Sequence, residues 1–376
     1  MTSSPTEILV DASRAFSHDP TQDMKFLQAM QEAFTHHFTS CPGYGSLCRM
    51  ADFSPESLTS YEDMARIPFV FVNVFKERKL ISVPEKEIAL TLTSSGTGGR
   101  KSAIYLDEVT LSRIRRIVYH IYDSYGMYAP SEEANCLAFT YDPEGAGDSG
   151  SAWSDRLLSG LTRVREMAYA IHRNTEGNFH FNPEECFSAT SNFASSGLPL
   201  RILGFPSFLY DFLLFCEEKG RRFSFGGGSF VLTGGGWKSS QNREIPRETF
   251  RALAASILGI PPTNVRDLYG LVEHGVPYGD CEYGAMHVPI YSRVYVRDPG
   301  TLDLLPDGEP GLLHLVTPYL HSFPAISLLT SDLGLVRKDC PCGRKAPVLE
   351  LCGRGGLVKH KGCAVEAIEL TRGGGR

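Results

Sequence analysis

The pattern of apolar and polar positions changes character several times along the chain. Between Asp23 and Phe38 the apolar residues Met24, Phe26, Leu27, Met30, Ala33 and Phe34 recur at helical spacing, which predicts an amphipathic helix. Cys41–Ser60 is dense in turn residues and is expected to be irregular. From Ile67 onward short β-branched or apolar runs begin, and Phe69–Val72, Ile88–Thr93 and Ala103–Leu106 read as strands. Asp107 is placed to cap a long helix whose positions Val109, Leu111, Ile114, Ile117, Val118 and Ile121 keep the helical period.

Further along, Phe208–Lys219 and Arg247–Leu258 read as helices stopped at Gly220 and Gly259, and Ser229–Thr233 and Val265–Tyr269 as short strands. Strands alternating with helices over residues 67–275 predict an α/β core. From Met286 to Leu351 the texture becomes strands and turns, including Val294–Arg297 and Leu312–Val316, which predicts a smaller β-rich subdomain. The expected organisation is a helical N-terminal segment 1–66, an α/β core 67–275, a β-rich subdomain 276–354 and a short C-terminal tail 355–376.

Composition narrows the function classes. A net charge of −6 leaves no electrostatic footprint for nucleic acid. No run approaches the roughly 18 apolar residues of a membrane-spanning helix. The N-terminus has neither a basic n-region nor an apolar h-region, so no signal peptide is expected. Ten cysteines scattered over a long chain fit a reducing, cytoplasmic protein whose thiols serve as core residues, metal ligands or nucleophiles.

The densest candidate chemistry is Ser94, Ser95, Gly96, Thr97, Gly98, Gly99 and Lys101. Glycines let backbone N–H groups approach phosphate oxygens closely, and hydroxyls and a lysine add donors. A flexible turn between two hairpin strands is the alternative reading of the same residues. A Walker loop requires Gly directly before Lys, but Arg100 stands there, and Gly96 is one residue too close to Lys101. A dinucleotide fingerprint opens into a helix, whereas here a strand follows.

Thr93–Gly99 resembles the phosphate-loop signature of the adenylate-forming superfamily of acyl- and aryl-CoA ligases, luciferases and peptide-synthetase adenylation domains. Further motifs follow in that superfamily's order. Gly234-Gly235-Gly236 resembles its adenine-contacting turn, and Asp267-Leu-Tyr269-Gly270-Leu-Val-Glu273 its Tyr-Gly-x-Thr-Glu motif, with Val272 in place of Thr. Ser327–Gly334 resembles its Thr-Gly-Asp motif, with Ser331 in place of Gly, and Gly353-Arg354 its hinge. Within the superfamily, Leu90–Ser102, Leu232–Lys238 and Lys359–Ala364 are most similar to the LuxE-type acyl-protein synthetases. Phenylacetate-CoA ligases are similar in Asp339–Arg344.

The resemblance implies the adenylate-forming N-terminal-domain architecture, layered α/β sheets with a β-rich subdomain. It implies ATP and Mg²⁺ as cofactors and a carboxylic, fatty acid as substrate. The phosphate loop with Lys101 would grip the phosphates, Gly234–Gly236, Asp267, Tyr269 and Gly270 would line the nucleotide, and Glu273 would hold Mg²⁺. Asp332 would receive the ribose hydroxyls, and Arg354 would contact ribose or phosphate. Cys363 would carry the acyl group to an acyl-accepting partner protein, a reductase or carrier. Lys359, His360 and Lys361 surround that thiol with charge able to lower its pKa, although a packed, inert cysteine is the other reading of the residues alone. Larger superfamily members continue past the hinge into a mobile lid with a clamping lysine. This chain ends soon after Arg354, so the lid is expected to be absent, with Lys101 or Lys238 as stand-ins.

Two rivals remain open at this stage: a CoA- or amide-forming ligase in which Cys363 is structural, and a catalytically silent nucleotide-binding subunit. Separately, Cys340-Pro-Cys342 and Cys281-x5-His287 together offer the three thiolates and one imidazole that structural zinc favours, or else are ordinary thiols. Phe69–Phe75 and Phe205–Phe215 either wall an acyl tunnel or pack as core.

Overall fold

The computed structural model describes residues 3–93, 102–142, 150–173, 179–237 and 243–354. The expected phosphate-loop residues Ser94–Lys101, together with Lys238 and Cys363, lie outside the described residues. The strands in chain order are β1 (Val70–Phe71), β2 (Ile88–Thr93), β3 (Ala103–Asp107), β4 (Ala129–Tyr141), β5 (Thr162–Arg173), β6 (Phe179–Phe181), β7 (Leu200–Gly204) and β8 (Phe230–Gly234). They continue as β9 (Val265–Tyr269), β10 (Tyr278–Gly279), β11 (Met286–His287), β12 (Arg293–Arg297), β13 (Gly311–Val316), β14 (Ser327–Arg337) and β15 (Val348–Arg354).

Contacts divide the chain into two compact units. One comprises residues 1–124, 271–276 and 285–376, the other 125–270 and 277–284. Residues 67–275, one α/β stretch by texture, are shared between them.

The second unit is built on a seven-stranded sheet of order β10-β9-β8-β7-β4-β5-β6. From β9 to β5 neighbouring strands are parallel, and only the edge strands β10 and β6 run antiparallel. Strands covered on both faces are apolar almost throughout, which explains Leu-Arg-Ile-Leu in β7 and Phe-Val-Leu in β8. The helices Pro183–Ser196, Pro206–Glu218 and Arg247–Leu258 complete its core, in which Phe193, Leu209, Phe212 and Ile257 join Phe139, Ile202 and Val231. Most of the Phe205–Phe215 aromatics thus belong to core packing. The Arg247–Leu258 helix keeps its expected bounds because Gly259 takes a left-handed φ of 66° at its end.

The first unit holds an antiparallel sheet of order β11-β15-β14-β13-β12, with β1 added parallel to β14. A separate antiparallel hairpin, β2 with β3, flanks residues 94–101. The N-terminal helix runs Pro20–Ser40, beginning earlier than its apolar period because Asp19 accepts from the backbone N–H groups of Thr21 and Gln22. A helix also spans Pro42–Met50, within the stretch expected to be irregular. Proline suits the first helical position, and Tyr44 and Cys48, four residues apart, bury one face despite Gly43 and Gly45. Asp107 caps the Glu108–Ser124 helix as expected, its Oδ1 accepting from the Thr110 N–H at 2.9 Å.

Candidate active site

The motif Asp267–Glu273 carries the chain from one unit to the other between Gly270 and Leu271.

In the second unit, β8 and β9 lie side by side in parallel, with Thr233 opposite Asp267 and Gly234 opposite Leu268. Gly234–Gly236 and Tyr269-Gly270 thus leave the sheet at adjacent carboxyl ends, the place where open parallel sheets bind ligands. Gly234 cannot be larger, because a Cβ there would stand 2.3 Å from Leu268 Cδ1. Tyr269 stacks on Tyr278, centroids 6.3 Å apart and planes within 10°. Burial pushes the Asp267 carboxyl up to about 6, against the Arg247 charge and hydrogen bonds from the Leu268 N–H and Thr233 hydroxyl. Its Oδ1 accepts from Leu268 N at 2.9 Å.

In the first unit, Glu273 is buried in a turn in which the N–H groups of His274 and Gly275 both donate to the Leu271 carbonyl. Burial raises its carboxyl pKa, and the nearby Asp332 charge raises it further. The hydroxyl of Ser102, the Lys76 charge and its own backbone N–H oppose that rise. Ser102 is fully buried and is the first described residue after the glycine-rich segment, so Glu273 is tied to the foot of that loop. His274 is buried and held neutral, its pKa pushed down to about 3. Tyr319 Oη donates to the His274 carbonyl at 2.8 Å and sits 3.1 Å from Nε2, so one side chain fixes the residue beside Glu273. Asp332 is buried on β14, opposite Arg354 of β15, and its N–H donates to Thr330 Oγ1 at 3.1 Å.

The structure also assembles a cluster that no motif marked. Asp107 Oδ2 lies 2.6 Å from His321 Nδ1, and His36 stacks on His321 at 4.4 Å. Beside it, buried His37 accepts from the Ser82 hydroxyl at 2.6 Å and donates through Nε2 to the Leu320 carbonyl at 3.0 Å. These histidines are single residues far apart in the chain, and only His36-His37 being adjacent on one helix hinted at a group. A cavity of about 600 Å³, lined by Arg14, His18, Arg344 and Lys345 among others, was likewise unmarked. The Phe69–Phe71 region lines a space of only about 20 Å³, room for a water rather than an acyl chain.

Of the expected metal set, the ligand atoms of His287, Cys340 and Cys342 all lie within 4.8 Å of one another. Cys281 is buried on the 277–284 segment of the second unit. Among the described residues no helix is long and apolar enough to cross a membrane.

A family model described as "Acyl-protein synthetase, LuxE" matches residues 1–370. A long-chain-fatty-acid–luciferin-component ligase of Vibrio harveyi is 25% identical over 335 residues, 89% of this chain and 84% of its own. The protein of the same description from Aliivibrio fischeri is 27% identical over 347 residues, 91% of this chain and 88% of its own. Among solved structures, a 2-hydroxyisobutyryl-CoA ligase in complex with 2-HIB-AMP and CoA superposes with a TM-score of 0.71 at 19% identity. That match covers 91% of this chain and 71% of the other, and establishes the adenylate-forming ligase fold.

Proposed function

The chain belongs to the LuxE acyl-protein synthetase family of ATP-dependent, acyl-adenylate-forming ligases, and from that premise we propose that it activates a long-chain fatty acid and hands the acyl group through Cys363 to a partner protein. The observation that carries the reading is the tie of Glu273 to Ser102, which sets a buried carboxylate at the foot of the glycine-rich segment.

In the first half-reaction a carboxylate oxygen of the acid attacks the α-phosphorus of ATP. The bond to the oxygen bridging α- and β-phosphorus breaks, pyrophosphate leaves, and an acyl-adenylate remains. Backbone and hydroxyl donors of Ser94–Gly99, with Lys101, receive the charge that builds on the phosphoryl oxygens. Gly234–Gly236 and Tyr269, at neighbouring strand ends, would line the adenine, and Asp332 would accept from the ribose hydroxyls. Glu273 is a hard oxygen donor whose ionised form burial disfavours, and such a site suits a dication. Mg²⁺ held there would neutralise charge on the phosphates.

In the second half-reaction the Cys363 thiolate attacks the acyl carbonyl. The carbonyl–oxygen bond to AMP breaks, AMP leaves, and a thioester forms; a thiol of the partner then takes the acyl group by the same exchange. The names of the Vibrio and Aliivibrio relatives support a long-chain fatty acid as the substrate.

Acid-dependent ATP–pyrophosphate exchange across a panel from acetate to long-chain and aryl acids tests the first half. Exchange should rise with long-chain fatty acids and survive Cys363→Ser. Exchange with aryl acids alone, or with none, would overturn the assignment.

A further inference from the structure

The β14–β15 hairpin and strand β11 meet at a group of side chains that the adenylation chemistry does not use. We propose that His287, Cys340 and Cys342, all in the first unit, hold a structural zinc ion. Four observations, independent of the acyl-transfer reading, support the site.

The first is the donor set. Two thiols and one imidazole are the sulfur and nitrogen donors that zinc takes at structural sites. No disulfide engages Cys340 or Cys342. The second is distance. At Zn–S near ~2.3 Å and Zn–N near ~2.0 Å, two ligands of one tetrahedral ion stand roughly 3.5–3.8 Å apart. The ligand atoms of His287, Cys340 and Cys342 all fall within 4.8 Å of one another, so adjustments on the order of 1 Å close the sphere.

The third is the tautomer of His287. Its Nδ1 lies 3.0 Å from the carbonyl oxygen of Ala346, which can only accept. The proton therefore sits on Nδ1, and the bare Nε2 lone pair faces Cys342 Sγ at 3.1 Å. An imidazole oriented by a backbone carbonyl is the usual outer support of a zinc ligand. The ring is also buried and braced edge-on by Phe16, at 5.8 Å between centroids. The fourth is the turn itself. Gly343 N–H closes it on the Cys340 carbonyl at 3.1 Å, and the Arg344 N–H points at Cys342 Sγ at 3.5 Å.

On binding, each thiol gives its proton to solvent and the sulfur lone pair forms the bond to zinc. The ion would join strand β11 to the turn between β14 and β15, and so act as a staple. Its place agrees. Arg337 pairs with Val348 at the near end of the hairpin, and Asp332 pairs with Arg354 at the far end. Six residues of strand separate the two ends, roughly 20 Å, so the ion fixes the base of the hairpin and touches nothing near Asp332.

The test is zinc content of the purified full chain by inductively coupled plasma mass spectrometry, beside Cys342→Ser and Cys340→Ser, and the cobalt(II)-exchanged spectrum. Wild type should hold about one zinc per chain, falling at least ~10-fold in both variants. Cobalt should give the intense d–d bands of a tetrahedral site and a thiolate charge-transfer band. Should either variant fail to fold, iodoacetamide labelling of the wild type decides. Cys340 and Cys342 should label slowly until a chelator is added, and then at least ~10-fold faster. Zinc retained in Cys342→Ser, or labelling unmoved by chelator, would overturn the site.

Discussion

Gly275 offers a sharp test of how the Glu273 turn is built. Its φ is +80°, and a Cβ there would stand 2.6 Å from Ile114 Cδ1 and 3.4 Å from Cγ1. Gly275→Ala therefore brings two separable penalties. The left-handed backbone costs an alanine roughly 1–2 kcal/mol. Forcing a methyl against the buried Ile114 adds about 1–3 kcal/mol of overpacking. Ile114→Val removes the Cδ1 carbon that lies in the way, at its own cost of about 0.5–1.5 kcal/mol. The double variant should then keep the backbone penalty and lose most of the steric one. Urea unfolding of the wild type, both single variants and the double variant, followed by far-ultraviolet circular dichroism, should give a favourable coupling of about 1–3 kcal/mol. Pyrophosphate exchange should fall in Gly275→Ala, because Glu273 is two residues upstream, and recover partly in the double variant. Additivity within about 0.5 kcal/mol, or a neutral Gly275→Ala, would refute the reasoning.

Three further outcomes follow from the same geometry. Glu273→Gln should abolish exchange while raising stability above neutral pH; the folded pKa is raised, so ionising this carboxyl destabilises the fold as pH climbs through it, and glutamine removes that loss. A denaturation midpoint at pH 8 no higher than wild type would contradict this. His37 and His274 are held neutral with values near 3, and His18 near 4, so below pH ~6.5 the unfolded chain takes up protons first and stability is lost as pH falls. At pH ~4.5 each contributes a loss of roughly 2–3 kcal/mol, and a urea midpoint flat from pH 6.5 to 4.5 would count against the buried neutral rings. Tyr319→Phe should lower the turnover of exchange more than it raises KM for ATP, because it loosens the residue beside Glu273 without touching nucleotide; unchanged turnover would remove Tyr319 as a positioning residue.

The parts of the fold legible in the sequence are those whose cause is local. Ile88–Thr93, Val265–Tyr269 and Arg247–Leu258 have the expected bounds, since short apolar runs and a glycine stop need no distant partner. The Pro42–Met50 helix was hidden because Gly43 and Gly45 read as turn residues, while its stability comes from burying Tyr44 and Cys48. Strands β4 and β5 carry no continuous apolar signature in the sequence. Their outer stretches carry Glu132, Glu133, Arg163, Arg165 and Glu166, which break the apolar run that marks their buried halves. The candidate site divides the same way. Glu273 and Asp332 stood in ordered motifs, but the Ser102 contact, the Tyr319 clasp and the Asp107–His321 pair join residues far apart in the chain. The Cys-x-Cys turn and His287 were visible as ligand types, and their meeting is a property of the β11–β15 pairing.

The central claim is that the adenylate delivers its acyl group to Cys363. Intact-mass analysis of the full chain after incubation with ATP, Mg²⁺ and a long-chain fatty acid measures this directly, with peptide mapping of any adduct. One hydroxylamine-labile acyl group should appear on the peptide bearing Cys363, absent in Cys363→Ser although pyrophosphate exchange continues. Exchange in the wild type without an adduct, or an adduct that persists in Cys363→Ser, would contradict it.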